Sequence, residues 1–310
     1  MRFGLLVKLT APAVALAVIG LGVTTVIGYS KSREAIESAV SEQQLQAADS
    51  IARNARFWVD SRVLEVTGWA GTSIYQKALD DGFLGKTARK AASKRLQQDK
   101  QNYPVYHTLF VAKPSGEVVS SSEEEAGVAD YGLAGNPQFE AAKAGTFSAV
   151  HAVQDPASGK PVSVLYAPIV NNDAVVGVLG AIVDLGAFGA DFVNPLKSGE
   201  TGEVEIFRQD GAIFLASGGD QDFTHNVQDL GILERIAKVE RGTVTFAEDG
   251  KVHLAAYRQI DGLPWTAVVS AREEEVLASA RTARMISVLA SALVALFIGG
   301  GVLLVVRATL

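Results

Sequence analysis

Two stretches without a single charge bracket this chain and limit what it can become. Residues 9–28 read LTAPAVALAVIGLGVTTVIG, and residues 285–306 read MISVLASALVALFIGGGVLLVV. A helix crosses the hydrocarbon core of a bilayer in about 20 apolar residues, and both runs reach that length. The first is too long for the core of an ordinary signal peptide. No A-x-A-like cleavage site follows it in GYSKSRE, so it reads as an uncleaved anchor with Pro12 in its first turn.

Orientation follows from the basic residues near the two runs. Arg2 and Lys8 precede the first, and Arg307 follows the second. Residues 1–8 are then expected in the cytoplasm, 9–29 and 285–306 as transmembrane helices, and 30–284 outside. Arg281 and Arg284 lie on the outer flank of the second run and pull the other way. The outer stretch holds 25 of the 28 basic residues against all 34 acids, a net charge of −9. That charge disfavours nucleic acid and anionic membrane surfaces as partners. The chain has no cysteine, which excludes disulfides, thiolate chemistry and Cys-based zinc sites. Its four histidines, His107, His151, His225 and His253, stand at no metal-ligand spacing. No P-loop, dinucleotide fingerprint or nucleophile–base pair is present, so neither an enzyme nor a cofactor is expected.

Between the spans, Ile36, Val40, Ala47, Ile51, Ala55, Trp58 and Val63 recur at helical spacing. No Pro or Gly interrupts this stretch before Gly68, and a helix over about 31–66 would reach roughly 54 Å. Its apolar stripe packs on its own domain, and its membrane-near turns, around Ile36 and Val40, can also pair with a second copy of the chain. Residues 86–101 read as a solvated helix. Strand signals follow: YHTLFVA and VVSS around Gly116, FSAVHAV, and the hairpin VLYAPIVNNDAVVGVLGAIVDL, whose Asn171, Asn172 and Asp173 all tolerate turn conformations. Asn136 and Pro137 open a short helix through Ala144 as N-cap and first residue. A second series begins at Gly199, with hairpins turning at Asp210-Gly211 and Asp249-Gly250, a helical LGILERIAK between them, and a last strand PWTAVVSA. Helices do not separate every strand, so the sheets are antiparallel rather than doubly wound.

The runs GETGEVEIFRQDGAIFLAS and AAYRQIDGLPWTAVVSAREEEV resemble the membrane-proximal module of double Cache sensor domains. FVAKPSGEVVSS, NPQFEAAKAG, DPASGKPVSVLYAPIVN and AVVGVLGAIVDL follow the order of the family's distal module. The resemblance covers roughly residues 31–284 and rests on the ordered set. It implies an α+β fold in which a long N-terminal helix carries two PAS-like antiparallel-sheet modules, flanked by two transmembrane helices. The implied boundaries are a stalk helix at about 31–66, a distal module at about 67–192, a membrane-proximal module at about 193–271 and an exit helix at 272–284. VVRATL looks like the start of a HAMP linker at 307–310, with any output domain, and its cytoplasmic partners, outside this sequence. GGDQDF at 218–223 echoes the GGDEF signature of diguanylate cyclases with one residue too many, on the wrong side of the membrane, and reads as a hairpin exit.

Within the family, amino-acid sensors grip the ligand carboxylate with an Arg and its ammonium with an Asp on the module's last strand. Here Tyr131 matches the pattern's first Tyr, and Asn136 stands in place of the Arg. Gln138 replaces a Trp, Phe139 a Tyr and Val153 a second Tyr. Asp155 matches, and Ile182 falls where the last Asp belongs. The resemblance therefore implies a pocket of Tyr131, Asn136, Gln138, Phe139, His151, Asp155 and Tyr166, walled by Ile182, with Asp184 as a displaced contact. Each has a plain alternative: Asn136 a helix cap, Phe139 core, Asp155 a turn residue, His151 an ordinary strand histidine, Asp184 a strand end. A free α-amino acid would leave its charges unpaired there, so a small uncharged or weakly ionic solute is expected. The leading expectation is the sensory region of a homodimeric chemoreceptor. The alternatives are the sensory half of a histidine kinase or diguanylate cyclase, or a stand-alone membrane-anchored binding protein.

Overall fold

The computed structural model describes residues 5–123, 128, 131–196, 201–218, 223 and 225–308. Arg2, most of GGDQDF and the last two residues of VVRATL lie outside them. A single helix α1 runs from Leu5 to Ala70, so the first apolar run and the stalk are continuous. The helix starts earlier than the apolar run, which places Pro12 inside it rather than in its first turn. Ile19, Val26, Leu289 and Phe297 stand exposed, as lipid-facing side chains do. Among the described residues, two helices are long and apolar enough to cross a membrane, α1 and the terminal α8 defined below.

Helices α2 (Ser73–Ala78) and α3 (Phe83–Asn102) follow, then β1 (Tyr106–Ala112), β2 (Val118–Ser121), α4 (Pro137–Lys143), β3 (Ser148–Gln154), β4 (Pro161–Asn171) and β5 (Ala174–Asp184). These strands form an antiparallel sheet of order β2-β1-β5-β4-β3. The β4–β5 loop is two residues long, since Asn171 pairs with Ala174. Asn172 and Asp173 have φ of 49° and 61°, as the tightest hairpin turns demand. Short helix α5 (Leu185–Phe188) and further helical turns lead to the second unit.

That unit contains β6 (Glu203–Arg208), β7 (Ile213–Ala216), α6 (Leu233–Ile236), β8 (Arg241–Glu248), β9 (Lys251–Gln259) and β10 (Trp265–Arg272). Its sheet order is β7-β6-β10-β9-β8, the order of the first sheet repeated. LGILERIAK yields a much shorter helix than expected, because Gly231, at φ 65°, ends one turn just before α6 begins. The chain leaves through α7 (Glu273–Val276) and α8 (Ala278–Ala308). Helix α1 meets α8 through the Thr25 and Ser291 hydroxyls, 3.2 Å apart, and meets α7 through the Arg33–Glu273 ion pair.

One helix serves both units. Ala48, Ile51, Ala52, Ala55 and Val59 bury into the second sheet's core beside Val204, Ile206 and Trp265. Val66 and Ala70 bury into the first sheet's core beside Tyr106, Leu165 and Leu179. Each buried Val or Ile among these contributes about 1.5–3 kcal/mol relative to exposure, and each alanine less. The sheet faces turned away from α1 carry two further cores. On the first sheet these are Phe110, Tyr166 and Ile182 under Phe139 of α4, and on the second Phe207, Tyr257 and Val268 under Ile232 and Ile236.

Candidate functional site

The first sheet's outer face is built by alternation. On β4, Val164 and Tyr166 point outward while Leu165 and Ala167 point toward α1; on β5, Val178 and Ile182 point outward while Leu179 and Ala181 point inward. Gly180, opposite Tyr166, leaves room for the Phe110 ring. Helix α4 and the segment before it roof this floor with Leu133, Phe139 and Ala142. The Tyr166 ring meets Phe110 and Phe139 edge-on, with centroids 6.5 and 5.8 Å away.

Phe139, Tyr166 and Ile182 are at most 1% exposed, so side chains fill the expected site. The Tyr166 hydroxyl is buried there without a hydrogen-bond partner, and burial pushes its pKa up to about 12. Leaving such a group unpaired costs about 1–3 kcal/mol. Ile182 sits in the wall where the ligand-binding acid of the amino-acid pattern belongs. Gln138 is half-buried, and its carbonyl accepts from the Ser148 hydroxyl.

The remaining polar residues are engaged locally. Asn136 Oδ1 accepts from the backbone N–H of Gln138 and Phe139, at 2.9 and 3.2 Å, so Asn136 caps α4. Asp155 is 3% exposed and accepts from the Tyr131 hydroxyl at 2.5 Å and from the Ser158 N–H and hydroxyl at 2.8 and 2.5 Å. Burial pushes the Asp155 carboxyl up, but the bonds from Ser158 and Tyr131 outweigh it and hold its pKa below the usual carboxylate range. The Tyr131–Asp155 bond also ties the roof to the β3–β4 turn. Asp184 Oδ1 accepts from the Gly186 N–H at 2.7 Å and caps α5.

His151 is elsewhere, which corrects the expected pocket. A bulge between Val150 and Val153, with Ala152 at φ 52°, breaks the strand's alternation. Val150 and Val153 therefore share the pocket face, while Ala152 packs into the core around α1 and the second module. The His151 ring meets Trp265 of β10 edge-on at 5.6 Å. Phe110, Leu133, Val164 and Val178 belong to the site and were not singled out from the sequence. Stepping two residues at a time from Tyr166 and Ile182 leads to Val164 and Val178. A cleft of about 530 Å³ lies on the second module beside α6, with Phe207, Leu233, Ile236, Leu263 and Trp265 among its lining.

The Cache domain profile of the double type (dCache_1) matches residues 32–280, most of the chain. No curated protein sequence matches. The fold is similar to the sensor domain of the Vibrio cholerae histidine kinase DctB, with a TM-score of 0.59 at 13% identity over 76% of this chain and 98% of that one. It is similar to the ligand-binding domain of Mlp24 with asparagine, with a TM-score of 0.59 at 19% identity over 80% and 98%. It is also similar to the ligand-binding domain of the Pseudomonas aeruginosa PAO1 amino acid chemoreceptor PctB with L-Arg, with a TM-score of 0.57 at 17% identity over 77% and 97%. Two sheets of one repeated topology strung on a single helix, and a profile match that spans both, make the chain a member of the Cache domain family with the double Cache sensor arrangement.

Proposed function

We propose that this chain is the sensory region of a transmembrane chemoreceptor that detects a small extracytoplasmic solute on the outer face of its first module. The observation that carries this reading is the Tyr166 hydroxyl, buried and unpartnered among Phe110, Phe139 and Ile182. A solute that hydrogen-bonds Tyr166 would relieve the cost of that group, and α4 would have to lift to admit it. Tyr131, Gln138, Phe139, Tyr166 and Ile182 line the space, while Asn136, Asp155 and Asp184 shape it through caps and a turn. Among the described residues that shape this face, the Asp155 carboxylate is already engaged by Tyr131 and Ser158. The solute is therefore uncharged or weakly ionic and is not a free α-amino acid. Displacement of α4 and of the sheet would bias α1 and α8 between two positions, by no more than the ligand's differential affinity for the two states.

Calorimetry of the chain in detergent against the proteinogenic amino acids tests this reading. No micromolar binding is expected, and binding that vanishes in Asn136→Ala would overturn it. A thermal-shift screen of neutral solutes should yield a ligand whose stabilisation is lost in Tyr166→Phe. A histidine kinase sensor is the second reading, favoured by the equal fold similarity to DctB. The coding sequence downstream of Leu310 separates the two.

A further inference from the structure

The second sheet repeats the topology of the first, and its outer face carries a different chemistry. Near the end where β10 passes into α7, a cavity of about 380 Å³ opens between Glu203 and Glu205 of β6, Glu248 of β8, His253 of β9 and Arg272 of β10. The residues between these walls are small: Ser270 pairs with both Glu203 and Ala255 across the sheet. Two independent observations mark the place. The first is the carboxylate group. Burial, and then the negative charges of Glu203 and Glu248, push the Glu205 pKa up to about 7. Lys251 and Arg272 also line the cavity, the Arg272 Nε buried without a partner, and among the described residues neither forms an ion pair with these carboxylates. The second is His253, which lines the cavity at 5% exposure with its Nδ1 unpartnered. Its ring is fixed by stacking on Phe246, with centroids 5.2 Å apart.

Unpaired acids beside an unpaired imidazole call for a cationic hydrogen-bond donor. Among the described residues no three His, Asp or Glu side chains are placed to hold a metal ion. The volume suits a small organic molecule. We propose that the second module binds a small alkylammonium ligand on this face, its ammonium held by the Glu205 carboxylate between Glu203 and Glu248, with the His253 imidazole as a further acceptor. This site is separate from that of the first module, so a double Cache sensor of this kind would read two solutes on one pair of helices.

The test is calorimetry of the full chain in detergent with n-butylammonium and putrescine, at about pH 8 so that Glu205 is ionised, with n-butanol as the uncharged control. Both amines are expected to bind, and n-butanol is not. Glu205→Gln should weaken amine binding about tenfold or more, since it removes one partner of a desolvated charge pair. His253→Gln and Glu203→Gln should weaken it by smaller factors, and they decide the matter if Glu205→Gln does not fold. Tyr166→Phe, in the other module, should leave amine affinity unchanged. The proposal is overturned if neither amine binds the folded wild type, if n-butanol binds as well as n-butylammonium, or if the Glu203, Glu205 and His253 variants all bind as wild type. Loss of amine binding in Tyr166→Phe would also overturn it, by placing the amine in the first module.

Discussion

Asn136 has one side-chain oxygen and uses it on its own helix, accepting from Gln138 and Phe139. Asn136→Ala should therefore cost about 1 kcal/mol of stability, the usual loss for a removed N-cap, and leave solute affinity unchanged. Thermal denaturation with and without the solute checks both halves. A variant of unaltered stability and lost affinity would make Asn136 a ligand contact. The cap was legible in the sequence because Asn-Pro before an apolar position is a local signal. So was the turn at Asp155, followed by Pro156 and Gly159. The bond from Tyr131 to Asp155 was not, because it joins residues 24 apart that only the folded sheet brings together. His151 was misplaced for a related reason: Ala152 has no intrinsic leaning to a positive φ, so nothing in FSAVHAV announces the bulge that turns His151 away from Val153.

At the scale of elements, the β4–β5 hairpin shows why alternation was informative and incomplete. Its turn residues were legible, but the parity of Tyr166 with Ile182 was not: a bulge between Ile169 and Val170 shifts the register by one from the pairing that the two-residue turn sets, and brings the two residues onto one face. That both faces are buried was also consistent with near-continuous apolar composition. The role of Gly180 was not legible, because it depends on a neighbouring strand. A Cβ there would stand 2.0 Å from the Phe110 ring. Gly180→Ala should destabilise the chain by about 1–3 kcal/mol through overpacking. Phe110→Leu in the same chain should recover part of that loss, since residues in contact are not additive. Chemical denaturation of the two single variants and the double variant measures the coupling; strict additivity would show that the ring is not what Gly180 accommodates. The same long-range blindness hid the continuity of α1, where composition divides a span from a stalk that the backbone joins.

At the scale of the whole molecule, α1 packs against both modules. Its buried stripe was legible from helical spacing, but its outward face was not, because that face depends on where the modules sit. Ile36 and Val40 are half-buried, whereas Phe57 and Leu64 are each 75% exposed, two turns apart on one line of the helix. Homodimerisation is proposed along that line. The chain has no cysteine, so Phe57→Cys or Leu64→Cys introduces the sole thiol. Each should give disulfide-linked dimers in membranes under mild oxidation, while Val59→Cys, buried at 6% exposure, should not. Absence of cross-links at both outward positions would count against the dimer. The two modules also meet at a buried junction. His151 meets Trp265 there, the Arg208 guanidinium donates to the Ala152 carbonyl at 3.1 Å, and Arg62 Nε, His151 Nδ1 and Trp265 Nε1 are all buried without partners. Burial, and then the charge of Arg56, lower the His151 pKa from 6.5 to about 4. The unfolded chain therefore binds this proton more readily than the folded one between those values. Stability falls as pH drops through that window and is fully present above it. His151→Phe keeps an aromatic ring against Trp265 and removes the titration. Its stability should decline less steeply than that of the wild type between about pH 6.5 and about pH 4, with the two curves running parallel above the window. Urea denaturation at intervals across the range decides it: equal slopes would mean that His151 takes up its proton in the folded chain as easily as in the unfolded one, and that the junction does not exclude the charge.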